Sequence, residues 1–106
     1  MKKILLLAAW LVILNTSTAH ATEYVVSQSN QQFSEDSLKI KAGDTIVFTN
    51  ADTVNHNIQV VNSEGDTDDK GLEKPGGTIR ELFSQAGEYK VRCGIHPGMK
   101  LKVSVH

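Results

Sequence analysis

The chain has 106 residues, with 11 Lys+Arg against 12 Asp+Glu and a formal net charge of −1. That length bounds it to one small domain, and no basic excess draws it to nucleic acid or an anionic membrane surface. An apolar content of 40% is enough for a core, while a single cysteine excludes an internal disulfide framework and a Cys-rich zinc cluster.

The first segment reads Met1-Lys2-Lys3, an unbroken apolar run from Ile4 to Leu14, and a small-x-small ending at Ala19-His20-Ala21. This is the pattern of a secretory signal cleaved after Ala21. The run falls short of the roughly 20 apolar residues that span a bilayer, so no membrane anchor is expected. The predicted organisation is a signal peptide over 1–21 and one domain over 22–106, exported to the periplasm. The exported part has 85 residues and a charge of −3, and Met99 is its only methionine.

Beyond the signal, strand patterning dominates. Glu23 to Val26 is a weak strand, followed by a polar link from Ser27 to Gln32. Leu38 to Lys41 alternates strictly, Ala42-Gly43-Asp44 turns, and Thr45 to Thr49 follows as a second strand. Asn57 to Val61 alternates again, a loop rich in Gly, Asp and Glu runs from Asn62 to Gly77, and Thr78 to Phe83 is a further weak strand. Tyr89 to Cys93 and Leu101 to Val105 close the chain. Six or seven short strands, without helix signal or repeat, predict an all-β, antiparallel Greek-key sandwich.

Strand phase places the cysteine. Tyr89, Val91 and Cys93 share one face and Lys90 and Arg92 the other, so Cys93 points inward where its strand ends. The last strand returns beside it, with Leu101, Val103 and Val105 inward. Between them, Pro97 and Gly98 force a tight bend that gathers Cys93, His96 and Met99 at intervals of three. His56, just before a strand, is able to complete a four-donor shell.

Each residue also has a plain structural reading. A free cysteine is among the most buried residue types, Met99 alone would fill the core, and His56 would be a loop residue. Taken together, two imidazoles, a thiolate and a thioether match the trigonal copper arrangement with a weak axial Met. Zinc prefers four strong donors. A Cys–His nucleophile would need an orienting group and a substrate pocket.

Cys93-Gly-Ile-His96-Pro97-Gly-Met99 with its closing strand resembles the cupredoxin, or type 1 blue-copper, family, and the short loop looks most like those of amicyanins, with pseudoazurin and plastocyanin as longer-looped relatives. Leu38 to Asn50 looks like the family's early hairpin, and His56-Asn57 like its upstream ligand segment. The resemblance implies one copper ion per chain, cycling between Cu(I) and Cu(II), held by His56, Cys93, His96 and Met99. Asn57 would tie the two loops together and offer its N–H to the thiolate. Ile95 stands where amicyanin and plastocyanin carry proline. It keeps an N–H which, aimed at the Cys93 sulfur, would be a second donor and raise the potential.

The expected function is one-electron transfer with a dehydrogenase, a reductase or a c-type cytochrome, by a monomer that is not an enzyme. The alternative is a copper-binding or copper-tolerance protein without a relay role. Four ligands leave no open position for a substrate. Glu64, Asp66, Asp68 and Asp69 form either a solvated loop or a patch that steers a basic partner.

Overall fold

The computed structural model describes residues 20–106, and the predicted signal peptide lies outside them except for its last two residues. Every regular element among the described residues is a strand: β1 (Glu23–Ser29), β2 (Gln32–Phe33), β3 (Ser37–Ile40), β4 (Asp44–Asn50), β5 (His56–Val61), β6 (Thr67–Glu73), β7 (Thr78–Phe83), β8 (Gly87–Cys93) and β9 (Lys100–Val105). The expected all-β sandwich is observed. One sheet has the order β2-β1-β4-β7 and the other β3-β9-β8-β5-β6.

Alternation puts one face of each strand inside. Val26, Ile46 and Phe48 from the first sheet meet Ile58, Val91, Leu101 and Val103 from the second, and all are fully buried. At roughly 1.5–3 kcal/mol for each large apolar side chain removed from water, this inner layer is the main source of stability. The aromatic pair Phe83–Tyr89, 5.2 Å between centroids in a T-shaped arrangement, closes the end away from the β8–β9 loop. There the Tyr89 hydroxyl donates to the Gln85 carbonyl at 2.9 Å.

The sandwich is not wholly antiparallel. β1 runs parallel to β4, and β3 parallel to β9. The segment from Leu38 to Asn50 is accordingly not a hairpin, because β3 and β4 lie in different sheets. Its turn carries the chain across the sandwich. Gly43 takes φ +98°, and buried Asp44 accepts the N–H groups of Lys41 and Thr22, each at 2.8 Å. A period-2 pattern gives the inward face of a strand but not its direction or its sheet, so this crossing could not be read from alternation.

Two stretches expected as loops contain strands. The polar link from Ser27 to Gln32 holds the end of β1 and a tight turn at Asn30 and Gln31, both at positive φ (52° and 55°). The stretch from Asn62 to Gly77 holds β6. This strand, with sequence Thr-Asp-Asp-Lys-Gly-Leu-Glu, is a sheet edge, and charged residues on an edge suppress the apolar alternation that marks a strand.

Candidate metal centre

The site is built where β5 begins and β8 ends. These strands pair antiparallel with Ile58 opposite Cys93, so the residues at the adjoining strand ends, His56 and Cys93, come together. Both are buried. The β8–β9 loop then folds His96 over them. His56 Nδ1 lies 3.2 Å from His96 Nδ1, and the Cys93 sulfur lies 3.8 and 3.7 Å from those two nitrogens. The imidazole rings meet edge to face, 5.0 Å between centroids. Met99 is buried, and its N–H donates to the His96 carbonyl at 3.0 Å across the Pro97-Gly98 bend.

Three donor atoms at these separations fit a single transition-metal ion, whose bonds to imidazole and thiolate are about 2.0–2.3 Å long. The donor set is mixed, one thiolate and two imidazoles, which suits copper. It is the only cluster of three or more potential His, Cys, Asp or Glu ligands at such range among the described residues.

The orientation of His56 is fixed from behind. Its Nε2 faces the Asp52 carboxylate at 2.9 Å. A carboxylate there calls for Nε2–H, which leaves the Nδ1 lone pair facing the cluster. Asp52 also accepts the N–H of Gln31 at 2.8 Å, which ties the β1–β2 turn to the ligand segment. The Gln31 N–H first, and then the His56 ring, hold the Asp52 carboxyl below its ordinary pKa. Asn50, buried at the end of β4, organises the same loop. Its side chain accepts from Asp52 N–H and donates to the carbonyls of Val54 and Glu73, each at 2.9 Å.

Asn57 joins the two ligand segments through its backbone. Its N–H donates to the Cys93 sulfur at 3.2 Å, and its carbonyl accepts from Gly94 N–H at 3.2 Å. Its side chain turns away, to Asp69 Oδ1 at 2.8 Å and the Gly71 carbonyl at 2.9 Å on β6. A register shift between β5 and β6, with Gly71 at φ +91°, makes room for this. Asp69 accepts from Gln59 and Gly71 as well, and the Asn57 bond first, then these two, hold its carboxyl below the ordinary value. A Cβ at Gly94 would sit 2.4 Å from Asn57 Oδ1 and 2.9 Å from Gln59 Nε2, so both amides would have to shift to admit one.

The expected second donor to the sulfur is not formed. Ile95 sits at the surface, 51% exposed, and its N–H makes no bond to Cys93; Asn57 is the backbone donor. The acidic group is not one patch either, because Asp69 serves Asn57 and Asp68 pairs with Lys70 at 2.6 Å.

Four residues that support the site were not assigned from sequence: Asp52, Asn50, Asp69 and Glu73. Asp52 carried a signal, an i,i+4 spacing to His56. Glu73 is opposite His56 on β6 and buried against Gln28, whose amide donates to it. Burial pushes its carboxyl up, with the Gln28 bond acting the other way.

The family model for copper-binding proteins of the plastocyanin/azurin family matches residues 20–106. Methylamine utilization protein MauL of Methylorubrum extorquens is 31% identical over 87 residues, 82% of this chain and 76% of that protein. Amicyanin of Paracoccus denitrificans is 31% identical over 83 residues, 76% of this chain and 63% of its own length. A Cu(I) structure of an amicyanin variant superposes with a TM-score of 0.72 at 26% identity, covering 79% of this chain and 82% of that one. A purple cupredoxin from Nitrosopumilus maritimus gives 0.69 at 26% identity, covering 78% and 99%. His56, Cys93 and His96 thus form a potential copper site in an amicyanin-like sandwich, and the chain belongs to the plastocyanin/azurin family of copper-binding proteins.

Proposed function

We propose that the protein is a periplasmic one-electron carrier, made with a signal peptide over 1–21 and working as the domain 22–106. His56, Cys93 and His96 would hold copper as the strong donors, and Met99 would add a weak thioether donor. Copper supplies the Cu(I)/Cu(II) couple; the chain supplies the rest. Asp52 and Asn50 hold His56 in one tautomer and one orientation, Asn57 N–H supports the thiolate, and the sandwich keeps water from two of the donors.

The observation that carries this reading is the gradient of burial across the cluster. His56 and Cys93 are closed off, while His96, 3.2 Å from His56, is partly exposed at the surface. Ile95, Val54 and Leu72 add exposed apolar surface on the loop, the preceding segment and β6. A partly exposed imidazole, with exposed apolar side chains on the segments that build the site, suits brief contact with a redox protein such as a dehydrogenase, a reductase or a c-type cytochrome. Similarity to amicyanin supports a carrier rather than an enzyme. His56 and the Cys93 sulfur are also held by hydrogen bonds from Asp52 and Asn57, which favours a fixed redox site over an exchangeable copper-handling one.

The test is the visible spectrum with one equivalent of Cu(II), beside Cys93→Ser. An intense thiolate-to-copper band, absent in the variant and bleached reversibly by a mild reductant, is expected. A colourless protein that holds Cu(I) and cannot be cycled would replace this reading with copper handling. Met99→Ala is expected to keep the band and shift the potential.

A further inference from the structure

The outer face of the β3-β9-β8-β5-β6 sheet is concentrated in positive charge although residues 22–106 carry a net negative charge. Lys90 lies directly opposite Lys102, and Arg92 directly opposite Lys100. Lys39, on β3, stands opposite Ser104. All five cations are exposed, and they are five of the nine Lys and Arg in residues 22–106. None makes an ion pair among the described residues, whereas Lys70 on the edge strand β6 and Arg80 on β7 both do. Arg92 lies along the sheet, donating to Gln59 Oε1 at 3.0 Å and Thr67 Oγ1 at 3.4 Å. Two carboxylates share the face: Glu88, which accepts from the Ser104 hydroxyl, and Asp69, in line with Gln59 and Arg92 across β6, β5 and β8, whose oxygens are taken up by Asn57, Gln59 and Gly71.

Like charges directly opposite on neighbouring strands destabilise a sheet. Two such pairs stand two residues apart on the same strands, so local stability does not explain the arrangement. A carboxylate-bearing partner would. The face is also concave: with the β5–β6 turn it forms a groove of about 430 Å³ lined by Lys90, Arg92, Lys102, Glu88, Asn62 and Ser63. The stripe ends at Arg92 and Lys100, which adjoin the first and last residues of the Cys93–Met99 segment.

We infer that this face docks an acidic protein surface and that the partner's carboxylates seat between Lys90, Arg92 and Lys102. The groove's charge is opposite to that needed for a basic partner steered by the acidic loop. A discrete acidic patch fits better than a long polyanion, which the negative remainder of the domain would repel. A protein docked here lies against the ligand loop, so the stripe orients a partner toward His96. That the partner is a redox protein rests on the electron-carrier reading; the docking chemistry does not.

The test is an amide chemical-shift titration of the metal-free ¹⁵N-labelled protein with synthetic hexaglutamate at low ionic strength. Shifts are expected at Val61 to Ser63, Lys90, Arg92 and Lys102, fading as salt is added. Lys90→Glu or Lys102→Glu should weaken binding about tenfold, and the control Lys41→Glu, with the same change in net charge, less than about twofold. Each of the two stripe variants converts a like-charge pair into an opposite one and should melt at a higher temperature than wild type, which separates lost docking from lost folding. Equal loss in the control, shifts confined to Gly94–Met99, or no shifts would overturn the proposal. So would capture by phosphatidylglycerol vesicles in place of the peptide. Because copper is not needed, a negative result leaves the visible-band test of the carrier standing, and a missing band leaves this test standing.

Discussion

The two segments that supply the site are held in opposite ways. The upstream one, from Asn50 to Asn57, is fixed by side chains: Asn50 makes three hydrogen bonds within it and to β6, and Asp52 links His56 to the β1–β2 turn. The downstream one, Gly94 to Met99, is shaped by its covalent chain, with Pro97 and Gly98 in the bend and one internal backbone bond from Met99 to His96. Its other backbone tie is Gly94 N–H to Asn57, so the downstream segment takes its position from the upstream one. Rigidity in the site therefore comes from the half that brings only one of the sequence-predicted ligands.

That asymmetry is open to attack, beginning with the change of largest effect. Asn50→Ala removes two donors to buried carbonyls and the acceptor of Asp52 N–H, and is expected to cost about 2–4 kcal/mol in urea unfolding of the metal-free protein. A loss no larger than that of a typical surface substitution would show that the upstream segment does not depend on this amide.

Asp52→Asn should leave the fold intact but weaken copper binding about 10–100-fold in competition titrations, the usual cost of removing a carboxylate behind a metal-ligating histidine. Gly94→Ala drives a methyl group into Asn57 Oδ1, whose amide is already tied to Asp69 and Gly71. Overpacking of this kind costs about 1–3 kcal/mol, and the Asn57 N–H to sulfur bond should lengthen, seen as a lower midpoint potential.

Acid tests the same frame more gently. Asp44, held by the N–H groups of Thr22 and then Lys41, binds its proton more weakly folded than unfolded, as does Asp52. The stability each lends is complete above the ordinary carboxylate pKa and is lost as pH falls through the lowered native value. A plot of Tm against pH should decline on that limb, and Asp44→Asn should flatten it. The smallest change is Ile95→Pro. With no Ile95 N–H at the sulfur, the midpoint potential should move far less than it does for Gly94→Ala, and an equal fall would restore Ile95 as a donor.

The parts of the molecule that were legible in sequence are those whose information is local. The Cys93-x-x-His96-x-x-Met99 spacing and the Tyr89 to Cys93 phase placed Cys93 beside His96 and turned Met99 inward, because a short loop between paired strands leaves little freedom. The alternation from Asn57 to Val61 placed His56 at a strand start. What was missed acts across sequence distance. Gln31 meets Asp52 from 21 residues away, and Glu73 meets Asn50 from 23. β6 escaped because its edge position selects charge rather than apolar alternation. The crossing from β3 to β4 escaped because a turn of three residues looks the same whether it joins neighbours or bridges two sheets. The Ile95 expectation failed because having an N–H does not aim it, and the sulfur takes its backbone donor from Asn57 instead.

The pairing of β5 with β8 also has a consequence for the unfolded chain. Cys93, His96 and Met99 are neighbours in any conformation, whereas His56 is 37 residues from Cys93 and arrives only when those strands meet. With the proposed ligands, an unfolded chain would already be a three-donor chelator for a soft ion, and closing a loop of that length is an entropic cost that folding must meet in either case. Metal added before folding is captured by the denatured ensemble as well as by the native state. The rise in melting temperature with copper should accordingly be smaller than the native dissociation constant alone would give, because a ligand stabilises a fold only by the difference between its affinities for the two states.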